Sequence, residues 1–388
     1  MNTGKTIFAQ LLDHLPRYEF NKCVGRYKGN YKVSRFSCWD HLLSLTFAQL
    51  TYRESLRDIE TSLNSHRQKL YHIGFRGLIS RSTLADANEQ RDYRIYQDFG
   101  YLLIDIARRL YQDEDLGLDL KQTVYALDST TIDLCLSTFP WAHYKRTKSA
   151  IKMHTQLNLR GAIPHFIGLT NGNVNDCRMM DELEWESDSI TSMDRGYTDF
   201  ARWYQIHLSS AFFVIKAKKN LRINRIKSNP VDKTTGVQAD QIVVLANKKS
   251  RSHYPENLRR VRFYNKEENK RVVLLTNHFG IDAKTVADIY KSRWKVELFF
   301  KWIKQHLKIK TFYGTSPNAV KIQIWTALTM YLLVAIVKKR LAIPGDLHTF
   351  LQILEVNLFE KRPILQVFQD ATKQDLVGRY HNQLQFLE

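Results

Sequence analysis

Two hydrophobic periods run along the chain, and the change from one to the other divides it. Through residues 1–75 apolar positions recur at helical spacing in IFAQLLDHL, CWDHLLSLTFAQL and SLRDIETSL, which predicts a helical N-terminal domain. The basic stretch KCVGRYKGNYKVSR separates the first two. Residues 76–120 continue as a helical connector: Ser80 offers N-cap chemistry, and DYRIYQDFGYLLIDIARRLYQ stays periodic until DEDLGLD, which reads as a loop. From Gln122 the period shortens. TVYALDSTTIDLCL, AIKMHTQLNLR and AIPHFIGLTNG are β-type runs, with a turn at Arg160-Gly161 between the last two. The helical RMMDELEWES, the short run SITSMD, the helical DFARWYQIHLSS and the strand AFFVIKAK complete residues 121–216.

Three meandering strands followed by alternating strand and helix predict an α/β fold, a mixed sheet flanked by helices in the order of a ribonuclease H-like core. Residues 217–285 break the alternation with QIVVLA, RRVRFY and RVVLLTN. Between Lys216 and Arg271 stand 16 Lys and Arg against 5 Asp and Glu, so this region reads as a basic, β-rich insertion. Residues 286–345 return to helix as a second part of the core, and residues 346–388 form a helical tail. The run Ile322–Val337 is 16 residues long and holds Gln323 and two Thr, which suits a buried core helix better than a membrane span.

Composition then sets the partner class. With 58 Lys and Arg against 39 Asp and Glu, the net charge is +19, a field that attracts polyanions, nucleic acid first. The aromatic share of 12% interleaved with these bases fits nucleic acid better than a membrane surface. Cys23, Cys38, Cys135 and Cys177 have no C-x-x-C spacing and read as reduced thiols of a cytoplasmic protein. The N-terminus lacks a signal-peptide layout.

Within DIYKSRWKVELFFKWIKQHLKIK, Glu297 is the last acidic residue before Asp346, while eleven Lys or Arg fall between Ile289 and Gly345. At about 100° per residue, Arg293, Glu297 and Lys304 lie within about 60° of Tyr290 on one helix. Ile289, Val296, Phe300, Ile303 and Leu307 form the core-facing stripe alongside. Glu297 therefore has two readings: an ion pair with Arg293 or Lys301 at i,i±4, or a carboxylate held at the edge of a cleft. Phosphate chemistry usually needs several carboxylates around divalent metal, which directs attention to Asp residues at strand ends. Asp128 is embedded in VYALD, where burial without a partner is costly. Asp133 is an odd step away and faces the other side of the strand. Asp194 ends SITSMD, either at a site or as a turn or N-cap residue. Asp176, Asp188 and Asp199 sit in loops or helix starts and are weaker candidates.

The spacing Y-x2-R-x3-E-x6-K at Tyr290, Arg293, Glu297 and Lys304 resembles the signature of bacterial DDE transposases of insertion-sequence family 4. ALDSTTID and SMDRGYTD resemble that family's two Asp blocks, and FSCWDHLLSLTFAQLTYRESLRDIE the DNA-binding domain that precedes the core in one branch. The resemblance implies that Asp128, Asp194 and Glu297 are catalytic and bind two Mg2+ ions, with Mn2+ a substitute. It implies that Tyr290, Arg293 and Lys304 hold phosphates at the transposon ends, with Arg195 a further DNA contact. Trp294 stands where base stacking and core packing are both open. The implied partners are double-stranded DNA (terminal inverted repeats and target) and a second copy of the chain, in the bacterial cytoplasm at the nucleoid. One departure concerns the hairpin pathway. Relatives that cut through a DNA hairpin use a Trp in the insertion; here no Trp lies between Trp203 and Trp294, leaving Tyr254, Phe263 or Tyr264 as substitutes. Lys152 and His154 share one face of the second strand and border the site or simply pack, and KCVGRYKGNYKVSR is a DNA-contact candidate. The rival functions are a nuclease that cuts without joining and a DNA-binding regulator descended from a transposase.

Overall fold

The computed structural model describes residues 4–75, 77–265, 269–306 and 312–370. Contacts divide the chain into two compact units, one contiguous (Tyr111–Lys301) and one built from both ends of the chain (Met1–Leu110 with Trp302–Glu388).

The contiguous unit holds a single sheet. Its strands are β1 (Val124–Leu134), β2 (His143–Lys145), β3 (Lys148–Asn158), β4 (Ile163–Asn171), β5 (Ile190–Met193), β6 (Phe212–Lys216), β7 (Ile223–Asn229), β8 (Val237–Leu245), β9 (Leu258–Asn265) and β10 (Lys270–Thr276). β3 pairs antiparallel with β1 and β4, while β1, β5 and β6 run parallel. The order β4-β3-β1-β5-β6 with one antiparallel member is the ribonuclease H-like core expected from the β meander and the alternation after it. The basic region lengthens the same sheet: β10 pairs antiparallel with β6, and β9, β8 and β7 follow outward. Parallel strands need a crossover. Residues Phe200–Leu208 supply it between β5 and β6 as a helix capped by Asp199, and that helix covers a core containing Leu127, Met193, Trp203, Phe213 and Tyr254.

The other unit is helical: α1 (Ile7–Leu12), α2 (Arg17–Arg26), α3 (Cys38–Leu50), α4 (Leu56–Ser65), α5 (Arg67–Ile73), α6 (Arg81–Gln90) and α7 (Arg94–Leu110) precede the sheet. We label the crossover helix α8, and Lys248–His253, Ala283–Ser292 and Trp294–His306 become α9, α10 and α11. The remaining helices are α12 (Pro317–Arg340) and α13 (Leu347–Asn357). Ser37 closes a capping box with Asp40 at the start of α3, and Ser316 with Pro317 starts α12. α12 is long and apolar enough to cross a membrane, yet 94% of its apolar window is buried inside the protein. It packs on α7, α3, α6 and α13, the setting of the core helix that the sequence predicts.

α7 and α12 approach closely at Gly100, where an added Cβ would lie 2.7 Å from Cε3 of the buried Trp325. Overpacking of this kind costs about 1–3 kcal/mol, so Gly100→Val should lower the stability of the helical unit by that amount, read by urea unfolding followed by tryptophan fluorescence. Unchanged stability would mean that the two helices do not meet at Gly100.

Candidate functional site

Strand register brings the first two carboxylates together. β1 and β5 run parallel with Leu127 opposite Met193, so Asp128 and Asp194, each the next residue, arrive at the same end of neighbouring strands. Adjacent strands lie about 5 Å apart. Leu127 and Met193 point into the apolar core beneath α8, and alternation turns Asp128 and the still extended Asp194 to the opposite face. Asp194 occupies the N-cap position of a short 3-10 turn, Arg195–Tyr197, but its side chain makes no capping bond, unlike that of Asp199 on α8. Its carboxylate is therefore not used up in ending the strand.

α10 packs against β5 and β6 and, with α11, supplies the other members. Arg293 Nη1 donates to Asp128 Oδ2 at 2.7 Å, and Nη2 donates to Glu297 Oε1 at 2.6 Å. Tyr290 Oη reaches Asp194 Oδ1 at a long 3.5 Å, and the Tyr290 ring lies 5.7 Å from the guanidinium carbon of Arg293. Of the two readings open to Glu297, the i,i+4 pair with Arg293 is present, and the same guanidinium ties it to Asp128. The core stripe is as expected: Ile289, Val296, Phe300 and Ile303 are buried. Leu307 lies outside the described residues.

One expectation needs correction. The segment is not one continuous helix: α10 ends at Ser292 and α11 begins at Trp294. Ser292 Oγ donates back to Ile289 O at 2.8 Å, and the Arg293 N–H bonds Tyr290 O at 3.3 Å, an i→i−3 contact that tightens the turn. The break sits at the residue that bridges two carboxylates.

Burial pushes the Asp128 carboxyl above its usual range. Arg293 and the Ser129 N–H, bonded at 2.8 Å, oppose that, while Glu297 and Asp194 add to it. Arg293 is held above its ordinary value although burial opposes this, because Asp128, Tyr290 and Glu297 favour its charge. Burial raises the Tyr290 hydroxyl to about 12, so it stays a neutral donor. Among the described residues no three His, Cys, Asp or Glu side chains converge tightly enough to cradle a metal ion. The donor set is nonetheless all-oxygen, the kind that hard divalent cations take. Asp128 and Glu297 already share one cation, the Arg293 guanidinium, standing where metal charge would relieve the same repulsion. The carboxylates therefore suit a hard divalent ion in chemistry.

The remaining candidates are spread around this centre. Trp294 is 57% exposed, so it is not a core residue. Lys304 lies seven positions beyond Glu297 on α11. Arg195 is exposed and helps line a cavity of about 600 Å³ with Lys216, Lys218, Arg225, Arg260 and Arg271. Tyr254 and Phe263 are buried, and Tyr264 is half-buried and bonded to Asn269. As they stand, Tyr254 and Phe263 cannot present a ring to a flipped base, because both are packed into the interior. In the N-terminal run, Lys22, Arg26, Lys28, Lys32 and Arg35 are exposed. The backbone of its loop is held from below by the buried Arg91, which donates to Gly29 O at 3.3 Å and Asn30 Oδ1 at 3.2 Å. Asp133 is exposed, Asp188 pairs with Gln122, and Asp199 pairs with Arg202. Lys152 and His154 lie on the face of the sheet opposite to Asp128 and gather around Asp176, which accepts from Ser129 Oγ at 2.7 Å. No pattern in the sequence links Asp176 to Ser129; only the paired strands bring them together.

A carboxyl raised in the fold favours stability below its unfolded pKa and loses that contribution as pH rises through the folded value. At neutral pH a charged Asp128 therefore destabilises the metal-free protein, and Asp128→Asn should raise its melting temperature. That advantage should shrink as pH is lowered and the parent carboxyl takes up its proton, which scanning calorimetry at several pH values would record.

The model of the transposase DDE domain matches residues 119–333, over half of the chain, and that of a domain of unknown function, DUF4372, matches residues 3–76. Three proteins named as transposases are similar. One from Sinorhizobium fredii is 32% identical over 289 residues, covering 73% of this chain and 79% of its own length. One named for an insertion sequence element of Geobacillus stearothermophilus is 31% identical over 56% of this chain and 57% of its own length. One named for an insertion sequence element of a Synechocystis species is 24% identical over 80% and 84%. With the Asp-bearing parallel strands inside the matched span, this chain belongs to the DDE transposases of insertion sequences, of the family 4 kind: metal-dependent enzymes that cleave DNA and transfer its strands.

Proposed function

We propose that the chain moves an insertion sequence by cut-and-paste transposition, with Asp128, Asp194 and Glu297 as the catalytic carboxylates. The observation that carries this reading is the convergence of a register-matched Asp pair with a helix-borne Glu that Arg293 links to Asp128. Asp128 and Asp194 hold the rigid side of a site for two Mg2+ ions, with Mn2+ a substitute, and the more exposed Glu297 closes it from the helix. When bound, the ions supply the Lewis acidity that activates water or a 3′-hydroxyl and stabilises the leaving oxygen. Arg293 has a second part in this scheme. Released from Asp128 and Glu297, its planar fork is free to take a phosphate bidentately, while Tyr290 stays a neutral donor and Lys304 a point charge. Trp294, exposed at the start of α11, offers a ring for base stacking, and Arg195 extends the phosphate contacts toward the basic cavity of the insertion. The N-terminal domain and its basic run bind the terminal inverted repeats, and two copies of the chain hold the two ends together before the target is joined. Such a protein works on the nucleoid in the bacterial cytoplasm.

The test is a cleavage and strand-transfer assay on DNA carrying the element's ends, run with both intact and pre-cleaved substrates. Asp128→Asn, Asp194→Asn and Glu297→Gln should each lower cleavage by about a thousand-fold or more, because metal-assisted stabilisation is worth several kcal/mol. Binding of the ends should survive in all three. Full cleavage by Glu297→Gln would sink the catalytic assignment, and cleavage by the parent without joining would make it a nuclease.

A further inference from the structure

The reverse face of β1 carries a second polar cluster that the chemistry does not use. Ser129 follows Asp128 and so points away from it, toward its register partner His154 on β3; Thr131 and Lys152 form the next pair on that face. Into this face reaches the 3-10 turn Asp176–Glu182, which follows β4. Asp176 Oδ1 accepts from Ser129 Oγ at 2.7 Å and forms an ion pair with Lys152 Nζ at 3.1 Å. Lys152 Nζ also donates to Val174 O at 2.8 Å, so the ion pair fastens the loop before the turn as well as the turn itself. The next residue, Cys177, donates its S–H to Gly196 O at 3.2 Å, two residues past Asp194. One turn therefore grips both segments that bear the Asp pair: the strand with Asp128 through Ser129, and the turn after Asp194 through Gly196.

The surroundings make the grip firm. The Lys152 side chain is 13% exposed and that of His154 is fully buried. His154 Nε2 is 2.9 Å from Thr170 Oγ1, and its Nδ1 is 3.6 Å from Asp176, beyond hydrogen-bond reach. Burial lowers the His154 pKa to about 4, so at neutral pH it adds no charge and Lys152 alone balances Asp176. The Asp176 side chain is 32% exposed, so the pair is half-buried, and removing one member leaves the other charge without this partner.

We infer that Asp176, acting with Ser129, Lys152 and Cys177, is a positioning residue that sets the spacing of Asp128 and Asp194 from behind the sheet. Asp176 does not touch the reacting atoms. A pair of carboxylates shares a divalent ion only within tight distance limits, about 0.2 Å on each ligand bond, so a strut behind the strands governs how well that ion is held. The inference rests on the assignment of Asp128 and Asp194 as metal ligands, and its test is arranged to tell the two apart.

Mn2+ binding to the full-length, DNA-free protein, followed by electron paramagnetic resonance, is the primary readout; the Mg2+ concentration for half-maximal cleavage and the melting temperature are measured alongside. Asp176→Ala and Lys152→Met should each weaken Mn2+ binding and raise the Mg2+ requirement by between about ten- and a hundred-fold, the usual effect of losing a group that orients a ligand. The double variant should be little worse than either single one, since both break the same strut. Asp176→Asn keeps an acceptor for Ser129 and should recover part of the loss. Should Asp176→Ala fail to fold, Ser129→Ala removes one hydrogen bond and no charge, and it should shift metal binding in the same direction. Variants that melt earlier yet bind Mn2+ and respond to Mg2+ as the parent does overturn the inference. If Asp128→Asn abolishes Mn2+ binding while Asp176→Ala and Ser129→Ala leave it intact, the strut alone fails. If Asp128→Asn leaves it intact, the metal-site reading fails and the strut with it.

Discussion

Like charges at the ends of neighbouring strands are the constraint around which this molecule is arranged. Asp128 and Asp194 leave neighbouring strands at the same end, and Glu297 adds a third carboxylate from the helix side. The protein answers with one guanidinium. Arg293 bonds Asp128 and Glu297 together, and it sits at the interruption between two helices, where the backbone turn aims its side chain. Among the described residues, Arg293 is the cation seen to bridge two of these carboxylates.

The sheet explains why the carboxylates can bear this. Asp128 and Asp194 are each preceded by a buried apolar residue, Leu127 and Met193, anchored in the core under α8. Burial of those neighbours fixes the strand ends, so repulsion cannot be relieved by letting them drift apart. The insertion continues the same sheet and adds a row of Lys and Arg beside Arg195, so that the surface leading away from the acidic centre is strongly positive. Acid at the strand ends and base around it is the distribution that a polyanionic substrate cut by a metal-dependent enzyme calls for.

Much of this was legible in the chain itself. The change of hydrophobic period at Gln122 marks where the sheet begins, and a lone Glu among eleven bases is legible because charge and helical spacing are local properties. The pairing of Leu127 with Met193 was not legible, because register joins residues 66 apart in sequence. Asp176 looked like an ordinary loop residue for the same reason: Ser129 and Lys152 reach it only once three strands have paired. The helix break at Arg293 depends on a Ser hydroxyl choosing a backbone carbonyl over solvent, a competition that residue spacing does not express. Tyr254 and Phe263 show the converse limit, since an aromatic ring in a β run reads alike whether it faces a ligand or the interior.

The helical unit is closed by partners from opposite ends of the chain. Gln10 Nε2 donates to Arg362 O at 2.7 Å, and Ile364 N donates to Gln10 Oε1 at 3.0 Å, contacts separated by 352 and 354 positions. The sheet unit, by contrast, is one unbroken stretch. During synthesis the strands carrying Asp128 and Asp194 have all their partners before residue 300 leaves the ribosome, whereas α1 waits for the last part of the chain. Loop closure over such a span is slow and entropically costly. A nascent chain thus completes the sheet and the carboxylates it carries while the helical unit still lacks the segment that holds α1. The sheet unit can therefore take its shape without waiting for the helical one to close.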